Sequence, residues 1–237
     1  MTGVQTCALP ISAVLATGPA AEFPYTDNPI AGVSVWDGRL TALQVMWRYL
    51  ALFAWPLHLT NDYSYAQIMP ATGSTAEWAG SALLVAGLAA LLWQVRHRRD
   101  VLAFSALAFV MFLPASNLPF TTGTIMGERL LYLPSVGLCG LVAVALTAFD
   151  EQGRAWRVAS LTAVLALTAA WGVRTWTRNP DWTSDVTLWR SAAATAPASA
   201  KAHRALAEAL YDADPTHANL DEVIASADRA AALLEAV

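Results

Sequence analysis

Four polar clusters interrupt an otherwise apolar chain, and they carry most of the residues that could do chemistry. Each holds a carboxylate, and two also hold an arginine, so the clusters offer groups that move protons or hold anions. They are Tyr25–Gly32 (YTDNPIAG), Pro56–Pro70 (PLHLTNDYSYAQIMP), Leu113–Ser135 (LPASNLPFTTGTIMGERLLYLPS) and Arg178–Trp189 (RNPDWTSDVTLW). Polar loops that converge on one face are how a membrane enzyme would build a site at the lipid–water boundary.

The composition indicates that a membrane body carries these clusters. The chain has 237 residues, of which 56% are hydrophobic and 14% charged, whereas a soluble domain usually has about 25% charged residues. The net charge of −4 belongs to the segment Arg178–Val237. No part of the chain is basic enough for nucleic acid. The two cysteines, Cys7 and Cys139, predict neither a disulfide nor a metal framework.

Four apolar runs are long enough to span a bilayer, which takes about 20 apolar residues. They predict transmembrane helices at 78–95, 101–117, 130–149 and 156–176, which together make up a membrane region at 78–177. Small residues in these runs favour close helix packing in lipid; they include Gly80, Gly87, Gly137 and Gly140.

The region 13–77 is predicted to be an outer loop that contains one ambiguous helix at 40–59. Arg48 lies near the middle of that helix, and an arginine at the centre of a lipid-facing helix costs about 2.5–3.5 kcal/mol. The helix therefore either spans the membrane with Arg48 facing a cavity, or is re-entrant or interfacial.

Basic residues predict the orientation of the membrane region. Arg96, Arg98 and Arg99 lie between the first two spans, and Arg154 and Arg157 lie between the last two. Short loops rich in arginine stay in the cytoplasm. The links 60–77 and 118–129, and everything after 177, are then on the periplasmic or luminal side.

The region 178–237 is predicted to form periplasmic helices that resemble a tetratricopeptide repeat. Thr183 or Ser184 is a candidate N-cap for the first helix. Two helical stripes follow, one of Ala202, Leu206, Ala209 and Leu210, the other of Val223, Ile224, Ala227 and Ala230. The turn between them is longer than in the usual repeat, and Ala207 replaces a common glycine, so a generic alanine-rich hairpin is the alternative.

Residues 2–11 (TGVQTCALPI) resemble the in-frame translation of a common sequencing adapter. We therefore expect residues 1–12 to be non-native and the chain to be a fragment of a longer protein.

Taken in order, the four clusters resemble one family: membrane proteins with a glycosyltransferase-C-type body followed by tetratricopeptide repeats. Its eukaryotic members are the transmembrane O-mannosyltransferases that act on cadherins. The motifs that carry the resemblance are Asn28–Pro29, PLHLTNDYS, ASNLPF…GERLLYLPSVG and RNPDWTSDVTLW. The resemblance implies an all-α fold, a polytopic helix bundle followed by tetratricopeptide-type hairpins.

The family also implies transfer of a sugar from a polyprenyl-phosphate carrier to a periplasmic or luminal acceptor. Such chemistry needs a carboxylate that activates the acceptor hydroxyl, and a divalent metal or cationic side chains at the departing phosphate. The resemblance places the catalytic acids in a loop nearer the N-terminus than this chain reaches. No catalytic residue or cofactor is therefore assigned in this chain; whether a longer parent binds a divalent metal is left open, and the chain alone is expected to be inactive.

Five residues are candidates for binding the substrate or the lipid phosphate. Arg129 could neutralise the carrier phosphate with Glu128 fixing its side chain, or the two could form an ordinary ion pair at a helix end. Asp62 with Tyr63 could bind acceptor or metal, or form a loop turn. Arg178 could bind phosphate, or join the membrane body to the repeats.

Two functions fit the sequence. The first is the C-terminal part of a polyprenyl-phosphate-dependent glycosyltransferase; the alternative is a non-catalytic membrane scaffold whose repeats recruit periplasmic partners. The expected partners are the lipid bilayer, the polyprenyl-phosphate sugar and a protein or peptide bound by the repeats, with no nucleic acid. The expected location is a bacterial inner membrane, or the endoplasmic reticulum with luminal repeats in a eukaryote.

Overall fold

The computed structural model describes residues 24–56, 59–150 and 153–235. The segment 1–12, predicted to be non-native, lies outside them. All regular structure in the described residues is helical, which confirms the all-α prediction. The α-helices of this part of the chain are α1 (Val35–Ala54), α2 (Thr75–Gln94), α3 (Arg99–Phe112), α4 (Tyr132–Asp150), α5 (Arg154–Arg178), α6 (Asp185–Thr195), α7 (Ala200–Ala213) and α8 (Leu220–Glu235).

Three helical segments of the described chain are long and apolar enough to cross a membrane: Thr75–Gln94, Glu128–Thr147 and Arg154–Trp182. They overlap three of the four predicted spans. The fourth, 101–117, is a shorter helix, because α3 ends at Phe112 and a 3-10 turn follows at Leu113–Ala115. A helix of this length extends about 21 Å, less than the hydrocarbon core of about 30 Å.

The small residues of the spans divide into two groups. Gly137 and Gly140 on α4 lie directly against α3, where an added Cβ would collide with the backbone of Ala108 and with Phe104. These two positions let the helices approach closely, as small residues do in lipid. Gly80 and Gly87 on α2 have no atom within 4 Å of such a Cβ, so they make no close helix contact in the described part of the chain.

Three of the four polar clusters fold largely into one unit at the end of the helices where α2 and α4 begin. We call the segments 24–34, 59–74 and 113–131 the polar cap. At its centre the buried side chain of Asn28 donates from Nδ2 to Asn117 Oδ1 at 3.0 Å and to the carbonyl of Thr122 at 2.8 Å. Arg39 on α1 donates to the carbonyl of Asn117 at 2.6 Å. Hydrogen bonds of the Asn28 and Asn117 side chains therefore join segments of the polar cap that are far apart in the sequence.

The C-terminal helices pack as α6 on α7 and α7 on α8. Ser184, one of the two candidate caps, accepts from Thr187 N at 3.2 Å and begins α6. Leu206 and Leu210 of α7 are buried, whereas Ile224 of α8 is 49% exposed. The apolar face of α8 that packs on α7 is therefore shifted from the predicted stripe. It contains Val223, Ser226 and Ala230, whereas Ile224 lies outside it. That these helices form a tetratricopeptide repeat stays a prediction.

The polar cap and the C-terminal helices meet along a hydrogen-bonded seam, which we define by residues 62–67 of the cap and 198–201. Ala66 N donates to the carbonyl of Ala198, and Ala200 N donates to the carbonyl of Tyr65, both at 2.9 Å. Lys201 Nζ pairs with Asp27 Oδ1 at 2.6 Å. The seam fixes the helical hairpin directly onto the membrane-proximal part of the chain.

Candidate functional site

Glu128 lies at the centre of a cluster of polar side chains where the polar cap meets α4. Its Oε1 accepts from the hydroxyl of Tyr63 at 3.0 Å and from the backbone N–H of Thr60 at 2.5 Å. Burial, and after it the negative charge of Glu128, raises the pKa of Tyr63 well above its usual value. The phenol therefore stays protonated and remains a donor to the carboxylate.

The backbone just before Glu128 is held by α1. Gly127 N donates to the hydroxyl of Tyr49 at 2.9 Å, and this hydroxyl donates to the carbonyl of Gly127 at 3.3 Å. Tyr49 is almost fully buried and meets the ring of Phe112 edge-on, with centroids 5.0 Å apart. A 3-10 turn then starts at Glu128 and leads into α4. The carboxylate is thus placed by α1, by the loop around Tyr63 and by the start of α4.

Two arginines, Arg174 and Arg178, lie at the end of α5. Burial raises the pKa of Glu128, and the hydrogen bonds from Tyr63 and Thr60, followed by the positive charges of Arg178 and Arg174, oppose this rise. The side chain of Arg178 is only 11% exposed and pairs with Asp181 Oδ2 at 3.3 Å. Ser191 on α6 donates to the same oxygen at 2.8 Å, so Arg178 is linked through Asp181 to the C-terminal helices.

An apolar cleft of about 360 Å³ opens beside Arg174, between the end of α1 and the last turns of α5. Arg174 Nε donates to the carbonyl of Pro56 at 3.4 Å, and the rest of the wall is apolar apart from Thr177. The lining residues are Trp55, Pro56, Ala170, Trp171, Val173, Arg174 and Thr177. We call this the α1–α5 cleft. Arg174 belongs to both the cleft and the electrostatic surroundings of Glu128.

The indole N–H of Trp171, in the wall of the cleft, is buried and has no acceptor in the described part of the chain. An unpaired buried donor costs about 1–3 kcal/mol. A ligand that brought an oxygen to this nitrogen would remove that cost.

The structure brings together some of the predicted residues and separates others. Glu128 and Tyr63 are in direct contact, and Arg178 is close enough to act on both. Arg129 is exposed and makes no hydrogen bond or ion pair with any described residue. The expected pairing of Glu128 with Arg129 is therefore absent: the partners of Glu128 are Tyr63 and Thr60.

Asp62 faces the seam rather than Glu128. Its Oδ2 accepts from the hydroxyls of Ser64 and Ser199, each at 2.6 Å. The bond to Ser64 closes a local turn, which is one of the two predicted interpretations, and the bond to Ser199 reaches the start of α7. No group of three or more His, Cys, Asp or Glu side chains capable of holding a metal ion occurs in the searched residues 24–56, 59–150 and 153–235.

Arg174 is the residue of this site that the sequence analysis did not single out. A signal was present, because Arg174 and Arg178 lie one helical turn apart at the end of an apolar helix and so share a face. Trp171, which also lines the cleft, lies one turn before Arg174.

The sequence is similar to those of several proteins from animals. The chain is 32% identical over 197 residues to a protein O-mannosyl-transferase of Caenorhabditis elegans, covering 81% of this chain and 28% of the relative. It is 34% identical over 212 residues to protein O-mannosyl-transferase TMTC4 of Homo sapiens, covering 84% of this chain and 28% of that protein. The chain belongs to the protein O-mannosyl-transferase family.

A shorter match within the family has higher identity: protein O-mannosyl-transferase Tmtc2 of Drosophila melanogaster is 43% identical over 103 residues, or 43% of this chain and 11% of the relative. The chain spans little more than a quarter of the length of the first two relatives. No family model and no solved structure matches it. Family membership and the three helices long and apolar enough to cross a bilayer agree with a membrane location for this chain.

Proposed function

We propose that this chain is the part of a membrane glycosyltransferase that holds the lipid-linked donor, a mannosyl or related hexosyl group on a polyprenyl phosphate. The observation that carries the proposal is the α1–α5 cleft, which joins an apolar wall to the guanidinium of Arg174, whose charge acts on the half-buried carboxylate of Glu128. The names of the relatives support the transfer reaction. The acceptor is a protein on the periplasmic or luminal side.

In this proposal each part of the site has its own role. The apolar wall takes the first isoprene units of the carrier, and Arg174 takes the phosphate, since arginine binds phosphate through charge-assisted hydrogen bonds. Glu128 accepts hydrogen bonds from Tyr63 and Thr60. Its negative charge attracts Arg174 and Arg178 and so keeps the C-terminal end of α5 close to the polar cap. A cation beside the phosphate also stabilises the negative charge that develops on the phosphate as its bond to the sugar breaks. The general base and any divalent metal belong to a segment that this chain lacks.

The C-terminal helices suggest how the acceptor reaches this site. Stacked helical hairpins form concave surfaces that bind extended peptides. We propose that α6, α7 and α8 begin such a surface, and that the seam sets its position relative to the donor site. The chain is then oriented with the polar cap and these helices on the periplasmic side of a bacterial inner membrane, or on the luminal side in a eukaryote.

Binding of undecaprenyl phosphate to the purified chain tests the donor site. Trp55 and Trp171 line the cleft, so a titration can be followed by tryptophan fluorescence. Arg174→Gln removes the proposed phosphate ligand and should weaken binding by about tenfold or more, the effect of losing a hydrogen bond to a charged group. Arg157→Gln removes an arginine from the other end of α5 and should leave binding unchanged.

Two results would contradict the proposed site. One is equal weakening by Arg157→Gln, which would mean that only overall charge matters. The other is equal affinity for undecaprenyl phosphate and uncharged undecaprenol, since the proposal makes the phosphate a ligand of Arg174. Without the missing segment we expect the chain to bind the donor but not to transfer the sugar.

A further inference from the structure

A second apolar cleft lies at the opposite end of the helices from the polar cap. It is enclosed by the end of α2, the start of α3 and the second half of α4, and its volume is about 300 Å³. Its lining residues are Leu91, Leu92, Val95, Arg98, Val101, Ser105, Leu141, Val144 and Ala145. We call it the α2–α4 cleft. Leu91 and Leu92 are 56% and 42% exposed, so its wall continues into helix surface that faces lipid once α2 spans the membrane.

The mouth of this cleft carries positive charge. Three arginines and one histidine follow one another in Arg96–Arg99, and Asp100 is the acid next to them. Arg98 lines the cleft and pairs with Asp100, with Nη2 and Oδ2 2.9 Å apart. One ion pair therefore offsets one of the three guanidinium charges, and the link keeps a positive balance.

The other two arginines, Arg96 and Arg99, are exposed and adjoin the lining residues Val95 and Arg98 in the sequence; we call these two the basic rim. The guanidinium of Arg96 lies 4.4 Å from the centre of the Trp93 ring and donates to the carbonyl of Trp93 at 2.8 Å. These contacts hold Arg96 at the end of α2 without neutralising its charge. Arg99, at the first turn of α3, is also exposed. The link joins two apolar helices, so both charges lie at the level of lipid headgroups.

We infer that the α2–α4 cleft binds one acyl chain of an anionic phospholipid whose phosphate is held by Arg96 and Arg99. The apolar wall matches a hydrocarbon chain, and the basic rim matches an anionic headgroup rather than a zwitterionic one. Basic pockets between transmembrane helices bind such headgroups, and basic residues at the membrane surface attract anionic lipid. The lipid would act as a structural ligand, on the opposite side of the helices from the proposed donor site.

Native mass spectrometry of the full chain in detergent measures the preference directly. The probes are phosphatidylglycerol and phosphatidylethanolamine with the same acyl chains. We expect phosphatidylglycerol to be retained at least about fivefold more, since one basic side chain near a lipid headgroup gives about that factor. The double variant Arg96→Gln/Arg99→Gln should lose this preference. The control Arg154→Gln/Arg157→Gln removes as much charge from the start of α5 and should keep it.

A second pair of variants tests the cleft without changing the charge. Ala145 is exposed and lines the cleft, whereas Ala143 is exposed on α4 but is not part of its lining. Ala145→Phe should fill the cleft and reduce retention of phosphatidylglycerol, and Ala143→Phe should not.

Three outcomes would overturn the inference. Equal retention of the two lipids would show that the rim does not select charge. Equal loss of the phosphatidylglycerol preference in the two arginine double variants would show that only the net charge of the chain matters. Unchanged retention in Ala145→Phe would show that the acyl chain lies elsewhere.

Discussion

At the scale of the residue, Glu128 and Arg129 show how local geometry separates neighbours in the sequence. Both stand at the start of a 3-10 turn, in which successive side chains point about 120° apart because there are about three residues per turn. Glu128 therefore turns into the cap toward Tyr63, and Arg129 turns outward. The adjacency of the two residues predicted an ion pair; the turn separates them.

The hydroxyl of Tyr63 should contribute to stability because it donates to a half-buried carboxylate. Tyr63→Phe leaves Glu128 with one donor fewer, so we expect the free energy of unfolding to fall by about 1.5–3 kcal/mol, the range for hydrogen bonds to charged groups. The control is Tyr65→Phe, since Tyr65 is also buried and its ring contacts that of Tyr25 in a tilted arrangement, with centroids 5.1 Å apart. Thermal unfolding in detergent would compare them; equal losses would argue against a special role for the Tyr63–Glu128 bond.

At the scale of the element, the sequence predicted the membrane helices well and their packing less well. Long apolar runs gave three helices that match the candidate spans, because the length and composition of a run are enough to indicate a possible span. The length of α3 was overestimated, since the apolar run continues through Pro114 although the helix ends at Phe112. Which small residues contact a neighbouring helix could not be predicted either, because that depends on which face of each helix meets another.

The glycines of α4 and α2 offer a matched test of that packing. In Gly137→Ala the new Cβ would lie 2.5 Å from the backbone N of Ala108, so we expect destabilisation of about 1–3 kcal/mol through overpacking. In Gly87→Ala no atom lies within 4 Å of the Cβ, and the better helix propensity of alanine should leave stability equal or slightly raised. The thermal unfolding midpoints of the two variants measure this difference. An unchanged midpoint in Gly137→Ala would mean that α3 and α4 are not closely packed at this position.

At the scale of the whole molecule, the functional parts are assembled by contacts between residues far apart in the chain. Tyr63 meets Glu128, Asn28 meets Asn117, and Asp62 meets Ser199. The sequence singled out most of these residues by type, because polar groups in an apolar chain are conspicuous. It could not show which of them meet, since loop geometry leaves no periodic signal. Arg174 was missed for a related reason: its role depends on α1 packing beside α5.

The seam predicts that the first C-terminal helices move with the polar cap as one body. The double variant Asp62→Ala/Lys201→Ala removes the charged side-chain bonds between the two parts, keeps the bond from Ala198 N to Gln67 Oε1, and leaves Ser199 able to cap α7. We expect amide exchange at Ala66 and Ala200 to accelerate by at least about tenfold, since the lost bonds involve charged groups.

Arg190→Ala is the control for the seam, because it breaks an exposed ion pair with Glu222 that lies away from the seam, and surface pairs contribute little. Unchanged exchange at Ala66 and Ala200 in the double variant would show that the charged side chains do not hold the two parts together.

The central claim is that the α1–α5 cleft receives the phosphate end of a polyprenyl carrier. The most direct measurement is photo-crosslinking of the chain with a polyprenyl phosphate that carries a diazirine on its first isoprene units, followed by peptide mapping. The account predicts labelling of the peptides that contain Trp55 or Trp171, and loss of that label when unmodified undecaprenyl phosphate is added in excess. Label confined to other helices, or label that the excess carrier does not displace, would contradict it.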